Sequence, residues 1–261
     1  MKRHAHFGLL LLSSAISLAQ QPPVTKDANA VAIIQQSLAA MGGGQSFVDV
    51  QATGTTTLYG DSGSVSYPIT LQATGTANVR SALTKPSGLH VYVTDGQATC
   101  ADGLLATATA DSQIDLFARR IDFVPALTIL ANYARPDIQV QYVRPDTLGS
   151  STVDVVALSF LPPGLTPSPQ AYAATQRSFF IDRATGFVLK IQFTTIADPL
   201  ALTGLNTEVV FSNYQTFGGF AVPMDQATYI NGNLGIDLAL TSVAFNTGLD
   251  SSLFAMSCEA N

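Results

Sequence analysis

Apolar and polar residues alternate with a period of two through most of the last third of the chain. In Phe187, Leu189, Ile191 and Phe193 every second position is apolar, while Lys190, Gln192 and Thr194 between them are polar. That is the pattern of a β-strand with one dry face and one wet face. Runs of this kind are separated by turn signals. Arg183-Ala-Thr-Gly186 lies between the strands 177–182 and 187–194, Phe217-Gly-Gly219 between 207–214 and 221–230, and Asn231-Gly232 before 234–246. Glycine and asparagine tolerate the positive φ of tight turns, so these segments predict consecutive antiparallel hairpins. In the last run Ile236, Leu238 and Leu240 share one parity, and Val243 and Phe245 the other. One extra residue near Thr241–Ser242 would return both sets to one face, which predicts a β-bulge there.

The first half is patterned less evenly. Val31, Ile34, Leu38 and Met41 form one stripe of an amphipathic helix over 26–41, with Thr25 as candidate N-cap and Gly42-Gly-Gly44 as the stop. Thr-rich strands are predicted at 47–59 and 65–79, and a further hairpin at 88–94 and 97–101 around Asp95-Gly96. Between 111 and 135 the spacing becomes helical: Ile114, Phe117 and Ile121 share a face, which Phe123, Leu127 and Leu130 continue. Proline is tolerated at a helix start, so Pro125 predicts two short helices in place of one. Strands resume at 138–143 and 152–160. The four prolines of 161–170 read as a surface loop, and 250–254 as one helical turn.

The N-terminus changes this picture. Lys2, Arg3 and His4 precede the apolar run Phe7–Leu12, and Ser17-Leu18-Ala19 precedes Gln20. This predicts a secretory signal peptide over 1–19 and a mature domain over 20–261, periplasmic or secreted, without a lipid-anchoring cysteine. No later stretch is apolar for long enough to predict a transmembrane helix. Of 261 residues, 47% are hydrophobic and only 11% charged, enough apolar material for one large β-domain. Loss of Lys2 and Arg3 takes the net charge from −6 to −8. That excess of acid, without a basic cluster, argues against nucleic acid as a partner.

The candidate chemistry is sparse. Gly60-Asp-Ser-Gly63 matches the tetrapeptide around the nucleophile of chymotrypsin-like proteases, but the histidines upstream, His4 and His6, leave with the signal peptide. A hairpin turn is the better reading. His90 is the only histidine of the mature chain; with no second one, neither a metal site nor a cofactor is expected, and His90 reads as an ordinary strand residue. Cys100 and Cys258 are a candidate disulfide in an oxidising compartment, or two buried thiols.

Several short phrases point further. Leu38-Ala-Ala-Met-Gly-Gly43 ends the first helix, and Ile181-Asp-Arg-Ala-Thr-Gly186 makes a hairpin. Tyr214 precedes Phe217-Gly-Gly-Phe-Ala-Val-Pro223, and Phe245-Asn246 leads to Asp250 and Phe254. In these phrases and in the order of its elements the chain resembles the LolA/LolB/LppX-like superfamily of periplasmic lipid and lipoprotein carriers. The resemblance implies a mainly β fold of α+β type: a strongly curved, unclosed antiparallel sheet, or half-barrel, with a few covering helices at 26–41 and 111–134. The LolA branch also latches its lid with an arginine, for which Arg80 is the candidate.

The function expected from this resemblance is non-enzymatic: an exported carrier or sensor that binds a lipid, an acyl chain or a lipoprotein anchor in an apolar cavity. The candidate lining is Phe123, Leu127 and Leu130 from the helical segment, with Phe187, Leu189, Ile191, Phe193, Val209 and Phe211 from the sheet. Each methylene buried there contributes about 0.8 kcal/mol. The alternative is an envelope scaffold or protein-interaction module whose core is filled by those helices. An enzyme ranks below both, because the sequence shows no histidine-based dyad, metal cluster or phosphate loop.

Overall fold

The computed structural model describes residues 24–255, apart from 43, 76–77, 95–98, 103, 107–121, 162–165, 167 and 199–202; the segment 1–23, with the expected signal peptide, lies outside the described residues. Helix α1 spans Ala28–Ala40. Strands β1 (Asp49–Gly60), β2 (Gly63–Thr74), β3 (Asn78–Lys85), β4 (Gly88–Thr94), β5 (Thr99–Ala101) and β6 (Leu104–Ala106) follow it. Helix α2 spans Pro125–Asn132. After β7 (Ile138–Leu148), β8 (Ser151–Phe160) and a short helix α3 (Pro169–Ala173) come β9 (Arg177–Asp182), β10 (Val188–Asp198), β11 (Thr203–Phe217), β12 (Phe220–Ile230) and β13 (Asn233–Phe245).

All these strands lie in one antiparallel sheet in the order β6-β5-β4-β3-β2-β1-β13-β12-β11-β10-β9-β8-β7. Each half is a meander of hairpins, and the halves meet where the first strand pairs with the last, Val50 opposite Phe245 through Leu58 opposite Ile236. The sheet does not close, since β6 and β7 are its two edges. The β7 edge is covered by the residues before α1: the Asp27 N–H donates to the Val140 carbonyl at 2.8 Å, and the Val140 N–H to the Thr25 carbonyl at 3.1 Å.

The bulge expected in the last strand is present. Thr53 opposes Ser242 while Gly54 opposes Leu240, so Thr241 is the extra residue. Leu240 and Val243 are consequently both buried in one apolar cluster. Gly54 marks the same place on the partner strand, because a Cβ there would lie 2.2 Å from the Ala239 carbonyl oxygen.

Several elements differ from expectation: α1 is capped by Asp27, whose carboxylate accepts from the Ala30 N–H at 2.9 Å, and not by Thr25, and β6 is a strand the spacing does not predict. The strand read over 65–79 stops at Thr74, and Gly75 with φ +56 starts a turn into the separate strand β3. In the proline-rich loop, Ser168 Oγ accepts from the Ala171 N–H at 3.1 Å and caps α3. Proline in a first helical turn loses no internal hydrogen bond, so the loop has room for this short helix. The second expected helix begins at Pro125, and its predicted companion over 111–121 lies outside the described residues.

Cys100 is disulfide-bonded and buried. Phe254, in a 3-10 turn over Ser251–Phe254, is buried as well, and that turn contacts β3. Cys258 lies outside the described residues but is the only other cysteine in the chain. Peptide mapping of unreduced protein is expected to recover one cross-linked species containing Cys100 and Cys258; peptides carrying either thiol free would contradict that pairing.

Candidate functional site

The inner face of the sheet is built by register. Val156 opposes Phe179, Phe179 opposes Ile191 and Ile191 opposes Val209, so β8, β9, β10 and β11 contribute one continuous apolar row. Phe211 and Phe193 extend it two residues along their strands. Phe187, Ile191, Phe193, Val209 and Phe211 all belong to one apolar cluster with Ile34 and Leu38 of α1 and Ile129 of α2. The structure therefore brings together the five sheet residues expected to line the site, Leu189 excepted.

Leu189 is a correction. Val188 opposes Ile181 while Lys190 opposes Phe180, so Leu189 is an unpaired bulge residue. The bulge shifts the parity of β10: Val188 and Ile191 are both buried in the inner cluster, and Leu189 packs on the outer face with Val153, Val155 and Phe180. Alternation through 187–193 concealed this, because a bulge leaves no mark on a run in which every odd position is apolar.

Helix α2 is the centre of the concave side. Ala126 and Ile129 pack in the cluster of β7–β12. Phe123, Val124 and Leu127 pack in a second cluster with Val50, Leu71, Phe220, Val222 and Leu240. An eight-residue helix that meets both halves of the sheet requires the sheet to curve around it. The side chain of Leu130, also expected at the site, lies outside the described residues. Gln226 holds the start of α2 by donating to the Phe123 carbonyl at 3.2 Å.

Helix α1 lies over the same side and is fastened by the turns that carry the family-like phrases. Ser37 Oγ donates to the Gly186 carbonyl at 2.6 Å. In that turn the Asp182 carboxylate accepts from the N–H groups of Ala184 and Thr185, each at 2.8 Å. At the helix end, the Ala221 N–H donates to the Met41 carbonyl at 3.2 Å, beside the stacked rings of Phe220 and Phe245 at 4.4 Å. Where α1 runs past Tyr133, a groove of about 400 Å³ is lined by Gln35, Leu38, Ala39, Gly42 and Gln45.

Two ionic groups border the apolar interior. Arg183 forks the Asp154 carboxylate with contacts of 3.0 and 2.6 Å, and Tyr142 donates to the same group at 3.0 Å. The Arg183 bonds outweigh burial and hold Asp154 below the usual carboxylate range. Arg177 is the more unusual: it is 3% exposed, its guanidinium lies over the Phe193 ring at 4.1 Å, and Asp122, just before α2, is 3.8 Å away. Burial lowers the Arg177 pKa and the Asp122 charge opposes that shift. Arg80, the expected lid arginine, instead donates to Gln72 Oε1 at 2.8 Å. It alternates with Val79 of the inner cluster and so projects from the opposite face. Sequence reading missed Arg177 because an arginine opening a strand carries no sign of which face it joins.

No family model and no curated protein matches this chain. Solved structures do. A putative outer membrane lipoprotein-sorting protein domain from Vibrio parahaemolyticus superposes with a TM-score of 0.56 at 14% identity, covering 86% of this chain and 95% of its own. A LolA superfamily protein from Nitrosomonas europaea gives 0.55 at 14% identity, over 87% and 97% of the two chains. The chain has a LolA-like fold. A DUF1329 family protein from Desulfovibrio piger shares it with a TM-score of 0.52 at 7% identity, covering 87% of this chain and 98% of its own. Two of the matching phrases fall on turns where α1 docks on the sheet, at Gly186 and at Gly219–Ala221. Among the described residues no helix is long and apolar enough to cross a membrane.

Proposed function

We propose that this protein binds a lipid, an acyl chain or the acyl anchor of a lipoprotein on the concave face of its LolA-like sheet, as a carrier or sensor in the bacterial cell envelope. The observation that carries the reading is the packing of α2. Residues 123–129 are all buried, and the helix separates two apolar clusters that would form one continuous apolar surface if it moved aside. An acyl chain replaces such a helix well, because it needs no hydrogen bonds and each buried methylene contributes about 0.8 kcal/mol. In this reading Arg177 latches the segment through Asp122, and the ligand must break that pair to enter. The structural neighbour named as a lipoprotein-sorting protein domain supports the same reading by fold alone.

The test is binding of a fluorescent fatty-acid analogue to the mature protein. Ile191→Asp places an unpaired carboxylate in the inner cluster, at a cost of several kcal/mol, and is expected to abolish binding. Lys190, half-buried on the other face over the Phe180 ring and 3.4 Å from Glu208, should be replaceable by alanine with affinity kept within about twofold, since its side chain lies opposite the inner cluster and shares no partner with it. The packing of Leu127 and Ile129 also favours a filled core. A folded wild type that binds no analogue, with no lipid retained in native mass spectrometry, would leave the scaffold reading in place.

A further inference from the structure

The β3–β4 hairpin carries an arrangement that the carrier reading does not use. Ser87 Oγ lies 2.7 Å from His90 Nε2, and His90 Nδ1 lies 2.6 Å from Asp102 Oδ2. The far oxygen of Asp102 accepts from the Val91 N–H at 2.7 Å, and the Asp102 N–H donates to the Val91 carbonyl at 2.8 Å. Asp102 is held in the left-handed region at φ 50 by these two bonds, so its carboxylate is fixed against the ring. Serine on Nε2 and carboxylate on Nδ1 is the order in which an imidazole can take a hydroxyl proton while an acid holds its tautomer. The serine and the histidine are three residues apart on one hairpin, a spacing that suggests nothing when read along the chain. The triad is recognised by geometry and roles.

Its position narrows the substrate. Ile69 opposes Leu83 and Leu83 opposes His90, so His90 faces the same side as Ile69, a member of the concave apolar cluster. Tyr92 lies two residues further along the same face of β4. Lys85 pairs with Gly88 in the hairpin, and its ammonium lies over the Tyr67 ring at 5.9 Å; its charge also reaches Asp102. Ser87 is exposed, and the His90 side chain is 26% exposed. A nucleophile open to solvent therefore stands at one end of an apolar face, two residues along the chain from Lys85.

We infer that Ser87, His90 and Asp102 form an esterase site for a carboxylic ester with a long acyl chain, the chain lying along Ile69, Leu83 and Tyr92. The choice of a long chain rests on the lipid-binding reading; the triad chemistry does not. Ser87 Oγ adds to the ester carbonyl carbon while its proton passes to His90 Nε2, and Asp102 positions the imidazolium that forms. As the tetrahedral intermediate collapses, the bond to the alcohol oxygen breaks and that oxygen takes the proton from Nε2. Water then adds to the acyl-serine and gives a proton to Nε2. The free carboxylic acid leaves, and the proton returns to Ser87 Oγ.

The mature full chain is assayed with p-nitrophenyl butyrate and p-nitrophenyl laurate, and its labelling by a fluorophosphonate probe is mapped by mass spectrometry. Hydrolysis of both esters is expected, with a lower KM for laurate and the label on Ser87. Ser87→Ala and His90→Ala should each lose at least about 100-fold in rate, and Ser87→Ala should lose the label. Asp102→Asn should lower kcat by a similar factor while the label still maps to Ser87, slowly, which a purely structural role would not produce. A wild type that neither hydrolyses butyrate nor labels overturns the site, as does activity that survives Ser87→Ala with unchanged circular dichroism. Hydrolysis without any preference for laurate keeps the triad and removes the long-chain substrate. Fatty-acid binding without hydrolysis does the reverse, so the two readings fail separately.

Discussion

Asp49→Ala is expected to lower the stability of the protein by about 3 kcal/mol, because charge-assisted hydrogen bonds are the ones most expensive to leave unmade. Asp49 opens β1 and is 1% exposed. Its carboxylate accepts from the N–H groups of Thr247 at 2.7 Å, Gly248 at 2.9 Å and Leu249 at 3.1 Å, and from the Thr247 hydroxyl at 2.8 Å. It thereby ties the chain leaving β13 to the start of β1, at the seam where the two halves of the sheet meet. Burial alone would raise its pKa, but the four hydrogen bonds together exceed that effect and hold it below the ordinary value. The stabilisation is therefore fully present above the unfolded-state value near 4 and is lost as the pH falls through the lower folded-state value. Thermal unfolding should show Asp49→Ala melting roughly 6–12 °C below wild type at pH 7. The gap should narrow below about pH 4. An unchanged gap at pH 2 would mean that the ionised carboxylate is not what holds the seam.

Gly42→Val is expected to cost at least about 3 kcal/mol, from a strained backbone and a steric clash acting together. Gly42 follows α1 at φ +86, and a Cβ there would lie 2.1 Å from the Gly219 carbonyl oxygen, backbone against backbone. No rotamer relieves that contact, so the end of α1 must lift from the 217–220 turn. Gly42→Ala should fail almost as badly, since the clash is with the Cβ itself. Gly44→Ala is the control: nothing lies within 4 Å of a Cβ there, and its stability should stay within about 0.5 kcal/mol of wild type. Urea unfolding of the three variants measures this. Equal midpoints for Gly42→Ala and Gly44→Ala would refute the close approach of helix and turn.

The consequence of Gly42→Val reaches function. α1 is one wall of the concave interior through Ile34 and Leu38, so a displaced helix end should alter analogue binding even under conditions where the sheet stays folded. The two positions also show how the chain encodes its halves differently. Asp49 acts over a separation of 198 to 200 residues and cannot be recognised from its neighbours. Gly42 sits in a run of glycines after an amphipathic stripe, which already marks a helix end.

The order of residues encodes what is local and periodic. Strand alternation, the turn residues at 183–186, 217–219 and 231–232, the stripe of α1 and the parity change near Thr241 follow from rules that act over two to four residues, and they were legible. The LolA-like phrases were legible for the same reason, being turns and caps. The remaining features depend on register between distant segments. The bulge at Leu189 turned one expected lining residue to the outer face. Arg177, not Arg80, faced inward because its strand pairs in that register with β8 and β10. His90 met Ser87 and Asp102 because β3, β4 and β5 are adjacent and their side chains alternate. Hydrophobic periodicity specifies that a face is buried; which polar groups share that face is settled by pairing across strands, and a one-residue shift in pairing reverses it.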